Sequence, residues 1–474
     1  MSLSPFRMLA LKAATARWSS LARHHAAYGR YQNLTRGSEN RRIFGAMIVV
    51  GLALVGVKIV AMIKDLFVAT SFGAGAEIDA LLIALVLPSF VINLIAGSFS
   101  AAFVPAYVRL HAGKGRAAAN RMLATVSLAS MGLLALALGL LALVIPFGLP
   151  MLSTGFDPEA RELSLRLSYL VLPCVLLSGA ATLWSAVLNA HDQFAIAEIS
   201  EVAVPLCMIF GVVLGGVRYG VYSLAIGYVI GYALQLTLLT VSLWKKRLLI
   251  VPRWYGWDAD VRLVVSQYLP VLGGGLLLGT APLIDQAMAA SLGAGSVASL
   301  GYGTKVVGLV LMVGSISVSR AVLPAFSRMV AASDYGAVRQ TLRLYTRLIL
   351  MVGLPVTMGL IVASEPITRL IFERGAFTAE DTGRVAVIQT MSALQIPFYI
   401  LAMLYVRLIS AIRANHILLI GTAISFVINL SMDYYLKEVM GVAGIALSTT
   451  LVYVVSLCFL GVMLFRRLRT EGNA

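Results

Sequence analysis

The 474-residue chain is 59% hydrophobic and only 12% charged, with a formal net charge of +16. A soluble chain of this length carries about a quarter charged residues, so a water-soluble globular protein is excluded. Apolar runs of 18 or more residues recur along almost the whole length, which indicates an all-α, polytopic membrane protein.

Residues 1–42 form a basic N-terminal tail. Its start, MSLSPFRMLALKAATARWSSLARHH, is rich in Arg and Ser, and no acid precedes Glu39. That composition fits an organellar transit peptide, and it fits equally a basic cytoplasmic extension lying on the membrane surface. Hydropathy then predicts twelve spans, at 43–71, 78–106, 121–147, 164–190, 196–216, 220–243, 264–291, 299–319, 344–364, 385–411, 415–435 and 441–465. They divide into an N-terminal six-helix lobe (43–243), a cytoplasmic linker (244–263), a C-terminal six-helix lobe (264–465) and a cytoplasmic tail (466–474).

The basic residues sort by side. With a cytoplasmic N-terminus, the inside segments hold 27 Lys or Arg and the outside segments hold eight. By the positive-inside rule this bias puts both termini in the cytoplasm, and it makes the net charge a topology signal, not a nucleic-acid footprint. The expected location is the bacterial cytoplasmic membrane, with surrounding lipid as a partner and a monomer as the working unit. Cys174, Cys207 and Cys458 lie inside apolar runs without CxxC spacing and read as small packing residues. The five histidines show no metal-ligand spacing, and no P-loop is present, so neither a metal nor a nucleotide cofactor is expected. Gly273, Gly274 and Gly275 fall within a span and suit close helix packing or a break.

An internal repeat organises the spans. DLFVATSFGAG (65–75) matches DQAMAASLGAG (285–295) at an offset of 220. SAAFVPAY (100–107) matches SRAVLPAF (319–326), with Pro105 over Pro324 at an offset of 219. An offset of six spans keeps both copies in the same orientation, so the halves read as parallel repeats with the binding site between them. The two GAG segments fall where spans 1 and 7 end, where glycine closes a helix and permits a tight turn.

Charges inside the spans mark the candidate site, because a charge near the bilayer centre costs at least a few kcal/mol. Lys58 sits near the middle of span 1 and Lys305 early in span 8. Lys64, Asp65 and Asp285 lie in the outer parts of spans 1 and 7, and Asp79 begins span 2. Lys58 and Asp65, seven apart, share a helix face and can form a buried pair. Lys64 and Asp65 can instead snorkel to the outer headgroups. The functional reading is a cationic wall of a water-filled cavity that takes an anion such as a diphosphate.

The stretches KDLFVATSFGAGAEIDALLIALVLPSF with SFSAAFVPAY (64–107), IDQAMAASLGAGSVASLGYGTKV (284–306), VLPAFSR (322–328) and LIFERGAFTAEDT (370–382) resemble the MurJ/MviN family of lipid II flippases. That family lies within the larger group that holds polysaccharide flippases and MATE exporters. The resemblance covers roughly residues 45–465. It implies a V-shaped bundle of two six-helix halves and alternating access. It also implies movement of a polyprenyl-diphosphate-linked oligosaccharide, lipid II or a related cell-envelope glycan precursor, to the outer leaflet. On the family pattern Lys58, Lys64 and Lys305 stand where cavity arginines occur, and Asp79 matches its span 2 aspartate. These four are the expected substrate-binding residues, with Asp65 and Asp285 as coupling or structural charges. After Leu87-Pro88, where the family carries an arginine pair, this chain reads SFVINLIAG. The family's two further C-terminal helices have no counterpart among the twelve spans. No cofactor is implied, and an ion gradient or the membrane potential is the expected drive. A cation-coupled, MATE-like exporter of small molecules is the alternative, kept by Asp65 and Asp285 and opposed by the intramembrane lysines. An enzyme is not expected, since no paired catalytic acids, metal cluster or large polar loop is visible.

Overall fold

The computed structural model describes residues 39–248, 251–412 and 414–471. The expectation for the basic tail falls largely outside them. Every element they contain is helical. In hydrocarbon each backbone N–H and C=O must be satisfied within the chain, so long apolar runs close on themselves as helices.

In the N-terminal half the order is α1 (Glu39–Phe72), α2 (Ala76–Ile92), a π-helical segment (Asn93–Gly97), α3 (Ser98–Lys114), α4 (Arg116–Leu152), α5 (Pro158–Val171), α6 (Cys174–Ala190), α7 (Phe194–Ser200), α8 (Ala203–Tyr219) and α9 (Tyr222–Lys245). The C-terminal half continues with α10 (Ala259–Ala290), α11 (Ser296–Ala331), α12 (Tyr335–Val362), α13 (Ser364–Phe372), α14 (Ala379–Ala393), α15 (Ile396–Ala411), α16 (Asn415–Met440) and α17 (Val442–Glu471). Among the described residues ten helices or unbroken helix runs are long and apolar enough to cross a membrane, and the bent pair α5–α6 makes an eleventh. The 34-residue α1 precedes them.

Every expected span falls on helix, several of them on two consecutive helices or, for 78–106, on α2, the π-helical segment and α3, and many helices outrun their span. Thus α12 starts at Tyr335, nine residues before the expected 344, and α17 continues to Glu471 through the expected tail. Hydropathy ends at the first charges, whereas the helical ladder continues wherever a cap can be found. Asp157 caps α5, accepting from the Ala160 amide at 2.7 Å, with Pro158 at the first helical position. Asp258 caps α10 at 2.8 Å from Val261 N, and Asp334 caps α12 at 2.8 Å from Ala337 N. Thr378 and Asp381 close a reciprocal capping box on α14.

One buried cluster, with Phe326, Leu404 and Leu464, lies within the C-terminal half, and another, with Phe99, Phe103 and Trp184, fills the N-terminal half and takes in Val261 and Val264 at the start of α10. The other two join the halves more extensively. One joins Leu134, Ile145 and Leu149 of α4 to Ala289, Ala290 and Val297. The other joins Val68, Leu81 and Leu224 to Tyr302, Phe372 and Phe377. The glycine turns sit at this second contact. Gly295 has φ +82, and a Cβ there would lie 2.3 Å from the Ala74 carbonyl oxygen. Gly375 has φ +60, with the Thr70 carbonyl 2.3 Å from the same imagined atom, and Ala376 N donates to that carbonyl at 2.8 Å. The GAG segments therefore do more than turn the chain: the absence of a side chain lets the two halves close on each other.

At the far end, Lys114 Nζ of α3 lies 2.7 Å from Asp260 of α10. The linker is tied down there by Tyr255 N donating to Thr125 Oγ1 at 3.1 Å. Between these ends α10 leans along α2 and α3, where Tyr268 donates its hydroxyl to the Ile95 carbonyl in the π-helical segment at 3.2 Å.

Candidate functional site

A cavity of about 570 Å3 lies between the halves. Its polar lining is concentrated in Lys64 and Asp65 of α1, Asp285 of α10, Lys305 of α11 and Gln395 beside α15, set among leucines, valines and Tyr228. Asp65 is the hub. Its Oδ1 takes the Lys64 ammonium and its Oδ2 lies 3.0 Å from Lys305 Nζ. The Asp65 side chain is 8% exposed, Lys64 19% and Lys305 44%. Two lysines, one from each half, therefore share one carboxylate in an otherwise largely apolar chamber, with Asp285 as the second acid of its lining. A compact ammonium on a four-carbon stem binds phosphate as a point charge and can follow it as the walls move.

Lys58 is placed otherwise than its spacing predicts. It shares a helix with Asp65, but both Asp65 oxygens are taken by Lys64 and Lys305, and Lys58 does not line the cavity. The acids within its electrostatic reach are Glu198 and Glu201, where α7 and α8 pack on α1. The expected pairing of Lys58 with Asp65 is thereby corrected, as is the expected opposition of Lys58 and Lys305 across one cavity. The signal was present in the sequence as two carboxylates at the start of the fifth span.

Asp79 is a second correction. It is 0% exposed and turned away from the chamber. Its Oδ1 accepts from Ala298 N at 2.7 Å and its Oδ2 from Val297 N at 3.3 Å. These are first-turn amides of α11, so Asp79 caps a helix of the opposite half and meets its positive dipole end. An aspartate early in a span looked like a ligand for substrate; its charge is instead consumed by backbone donors.

Asp285 faces two chambers. It borders the central cavity and also one of about 590 Å3 inside the C-terminal half, among α10, α15, α16 and α17. Asn429 Nδ2 donates to its Oδ1 at 3.1 Å. Asp433, one turn on and 0% exposed, stands beside it, with neither carboxylate oxygen satisfied by a donor. Two adjoining buried carboxylates repel when both are ionised, so the pair favours taking up a proton or a cation, and Lys437 of α16 is engaged with Ser291 Oγ at 3.2 Å. Oxygen ligands of this type suit a hard cation or a proton. The segment SFVINLIAG, which departs from the family's arginine pair, places Ser89 and Asn93 in a separate polar chamber of about 290 Å3 with Ser178, Glu201 and Gln235.

Comparison with known proteins agrees with this layout. The model of the family described as lipid II flippase MurJ matches residues 68–474. A probable lipid II flippase MurJ of Rickettsia prowazekii (strain Madrid E) is 25% identical over 413 residues, covering 86% of this chain and 81% of that protein. Its counterpart in Thermotoga maritima is 27% identical over 405 residues, covering 85% and 81%. Among solved structures, the lipid II flippase MurJ in an inward closed conformation superposes with a TM-score of 0.75 at 23% identity, over 87% of this chain and 86% of that one. An inward-facing multidrug resistance MATE transporter of the MOP superfamily superposes at 0.73 and 14% identity, over 89% and 99%. The fold is thus common to both branches, while the sequence match lies with one. With its spans, the chain is a multi-pass protein of the bacterial inner membrane and belongs to the lipid II flippase MurJ family.

Proposed function

We propose that the protein is a flippase that carries a polyprenyl-diphosphate-linked oligosaccharide, lipid II or a related cell-envelope glycan precursor, from the inner to the outer leaflet by alternating access. The observation that carries this reading is the convergence of Lys64 and Lys305, from opposite halves, on Asp65 in the central cavity. A diphosphate entering the chamber replaces Asp65 as counter-ion to both lysines, so substrate binding and the contact between halves use the same charges. The lysines take over the role of the water that the phosphates leave behind. The cavity lies within the roughly 300–1,000 Å3 typical of small-molecule sites, so it suits the diphosphate and adjoining sugar while the polyprenyl chain stays in lipid.

The coupling element in this proposal is Asp285 with Asn429 and Asp433. A monovalent cation or proton bound there supplies the missing positive charge, and Asp285 transmits its state to the wall of the central cavity. The site is complete within one chain, which favours a monomer, and the charge bias favours cytoplasmic termini. The two lysines of the chamber, one from each half, disfavour export of cationic compounds.

The test is accessibility of the precursor's sugar at the outer leaflet, in cells that depend on this protein. Lys64→Ala and Lys305→Ala are each expected to abolish flipping with membrane insertion intact, and Lys305→Arg to retain part of it. Lys305→Ala combined with Asp65→Asn removes opposite charges together. If the lysine only neutralised the aspartate, this pair would restore flipping. Restored flipping, or full activity of either alanine variant, overturns the assignment.

A further inference from the structure

The C-terminal half holds another charged cavity, remote from the lysine site, of about 620 Å3. It is lined by Arg339, Arg343 and Arg347 of α12, Tyr405 of α15, and Phe465 and Arg469 of α17. The three arginines of α12 follow one another at intervals of four and so occupy one helix face. Leu342, on the same face, is buried in the core of this half and fixes that face against its neighbours. Arg339 Nη2 donates to the Leu468 carbonyl at 2.9 Å, which fastens α12 to the end of α17. Tyr405 and Phe465 meet edge to face, with ring centroids 6.5 Å apart.

Among the described residues no carboxylate lines this cavity. Among the described residues none forms an ion pair with Arg343, Arg347 or Arg469. Four guanidinium groups around one space repel each other until an anion enters, and their planar forks match phosphate oxygens. The flank of α12 beside the cavity is apolar and bare: Leu344, Leu348, Met351 and Val352 are all exposed. That stripe runs from the arginine level toward the middle of the span. A phosphate held by the arginines would therefore have a path for hydrocarbon chains immediately beside it.

We propose that this cavity is a headgroup site for an anionic glycerophospholipid of the leaflet at the arginine-rich end, with the acyl chains lying along α12. Both halves of the ligand are accounted for, the phosphate by the arginines and the tails by the exposed stripe. Basic pockets between membrane helices are suited to such headgroups. The occupant joins α12, α15 and α17 by one anion, so the same site stabilises this half of the molecule.

Native mass spectrometry of the full-length protein, titrated with phosphatidylglycerol and with phosphatidylcholine of the same chains, tests this. Phosphatidylglycerol is expected to be retained about tenfold better. Arg343→Gln with Arg347→Gln should lower its retention by about tenfold or more, since half of the cavity's positive charge is removed, and leave phosphatidylcholine unchanged. Arg343→Lys with Arg347→Lys should keep most of the preference. Because the double glutamine variant can lose stability, Arg347→Gln alone, at an exposed position, is measured beside it and should show a smaller loss in the same direction. Glycerol phosphate and inorganic phosphate, which lack tails, should not displace the lipid at equal concentration. Equal retention of the two lipids, indifference to both glutamine variants, or displacement by inorganic phosphate would each overturn the proposal.

Discussion

Replacing Asp79 by Asn should loosen the two halves at the end that carries the glycine turns. The carboxylate holds Ala298 N at 2.7 Å and Val297 N at 3.3 Å, fully out of contact with solvent. A hydrogen bond to a charged group contributes about 1.5–3 kcal/mol. The longer contact lies outside the usual range and adds little. The amide keeps one acceptor oxygen but loses the charge that meets the α11 dipole, and it turns an NH2 toward a donor. A loss of about 2–3 kcal/mol follows, which is about a 30- to 150-fold change in the ratio of closed to open forms at 1.4 kcal/mol per decade. Spin labels at the exposed positions Glu77 and Glu380, one in each half, allow double electron–electron resonance to read that ratio in nanodiscs. The longer distance should gain population in Asp79→Asn and gain further in Asp79→Ala, which leaves two buried donors unmatched. An unchanged distance distribution in both variants would refute the reasoning that Asp79 joins the halves.

Gly295→Ala should destabilise the same contact, because φ +82 is strained for alanine and the new methyl meets the Ala74 carbonyl; about 1–3 kcal/mol is expected as a lower Tm, and a Tm within error of the parent would contradict it. For topology, cysteines at Glu159 and Glu380 should react with an impermeant thiol reagent in intact cells, while cysteines at Gly113 and Gln340 should react only after lysis; labelling of Gly113 from outside would reverse the orientation. Asp285→Asn and Asp433→Asn should each abolish the dependence of transport on the driving cation gradient, measured as flipping rate against gradient; a retained dependence in both variants would remove the pair from the coupling role. Lys58→Gln, by contrast, should reduce flipping less than Lys305→Ala, since Lys58 lies outside the central cavity, and equal losses would return Lys58 to the binding site.

The helices were legible because hydrocarbon permits so little else: an apolar run of the right length must close its own hydrogen bonds. Their ends were not, and α12 shows why. Arg339, Arg343 and Arg347 lower the hydropathy where the helix is fully formed, capped by Asp334 before the first of them. Lys64, Asp65 and Lys305, which the fold brings together in the central cavity, were legible as candidates from charge placed where charge is costly. Asp79 carried the same signal but a different meaning, because its partners are amides 218 and 219 residues away, and only the assembled halves bring them within reach. Asp433 was masked by its position near the edge of its expected span, where an acid reads as interfacial. Its relation to Asn429, one turn before, gave a polar helix face that spacing alone could have revealed.

The π-helical segment Asn93–Gly97 has a mechanical consequence. A π turn accommodates one residue more than an α turn, so the helix carries about 100° of surplus rotation at that point. The surplus can be handed along the chain, one hydrogen bond at a time, without either end of the helix sliding. Each step would turn the intervening side chains to a new bearing while α2 and α3 kept their positions. The Ile95 carbonyl lies within this segment and is held by Tyr268 of the opposite half. That bond ties the segment to the opposite half, so a shift of the surplus past Ile95 requires this contact between the halves to break.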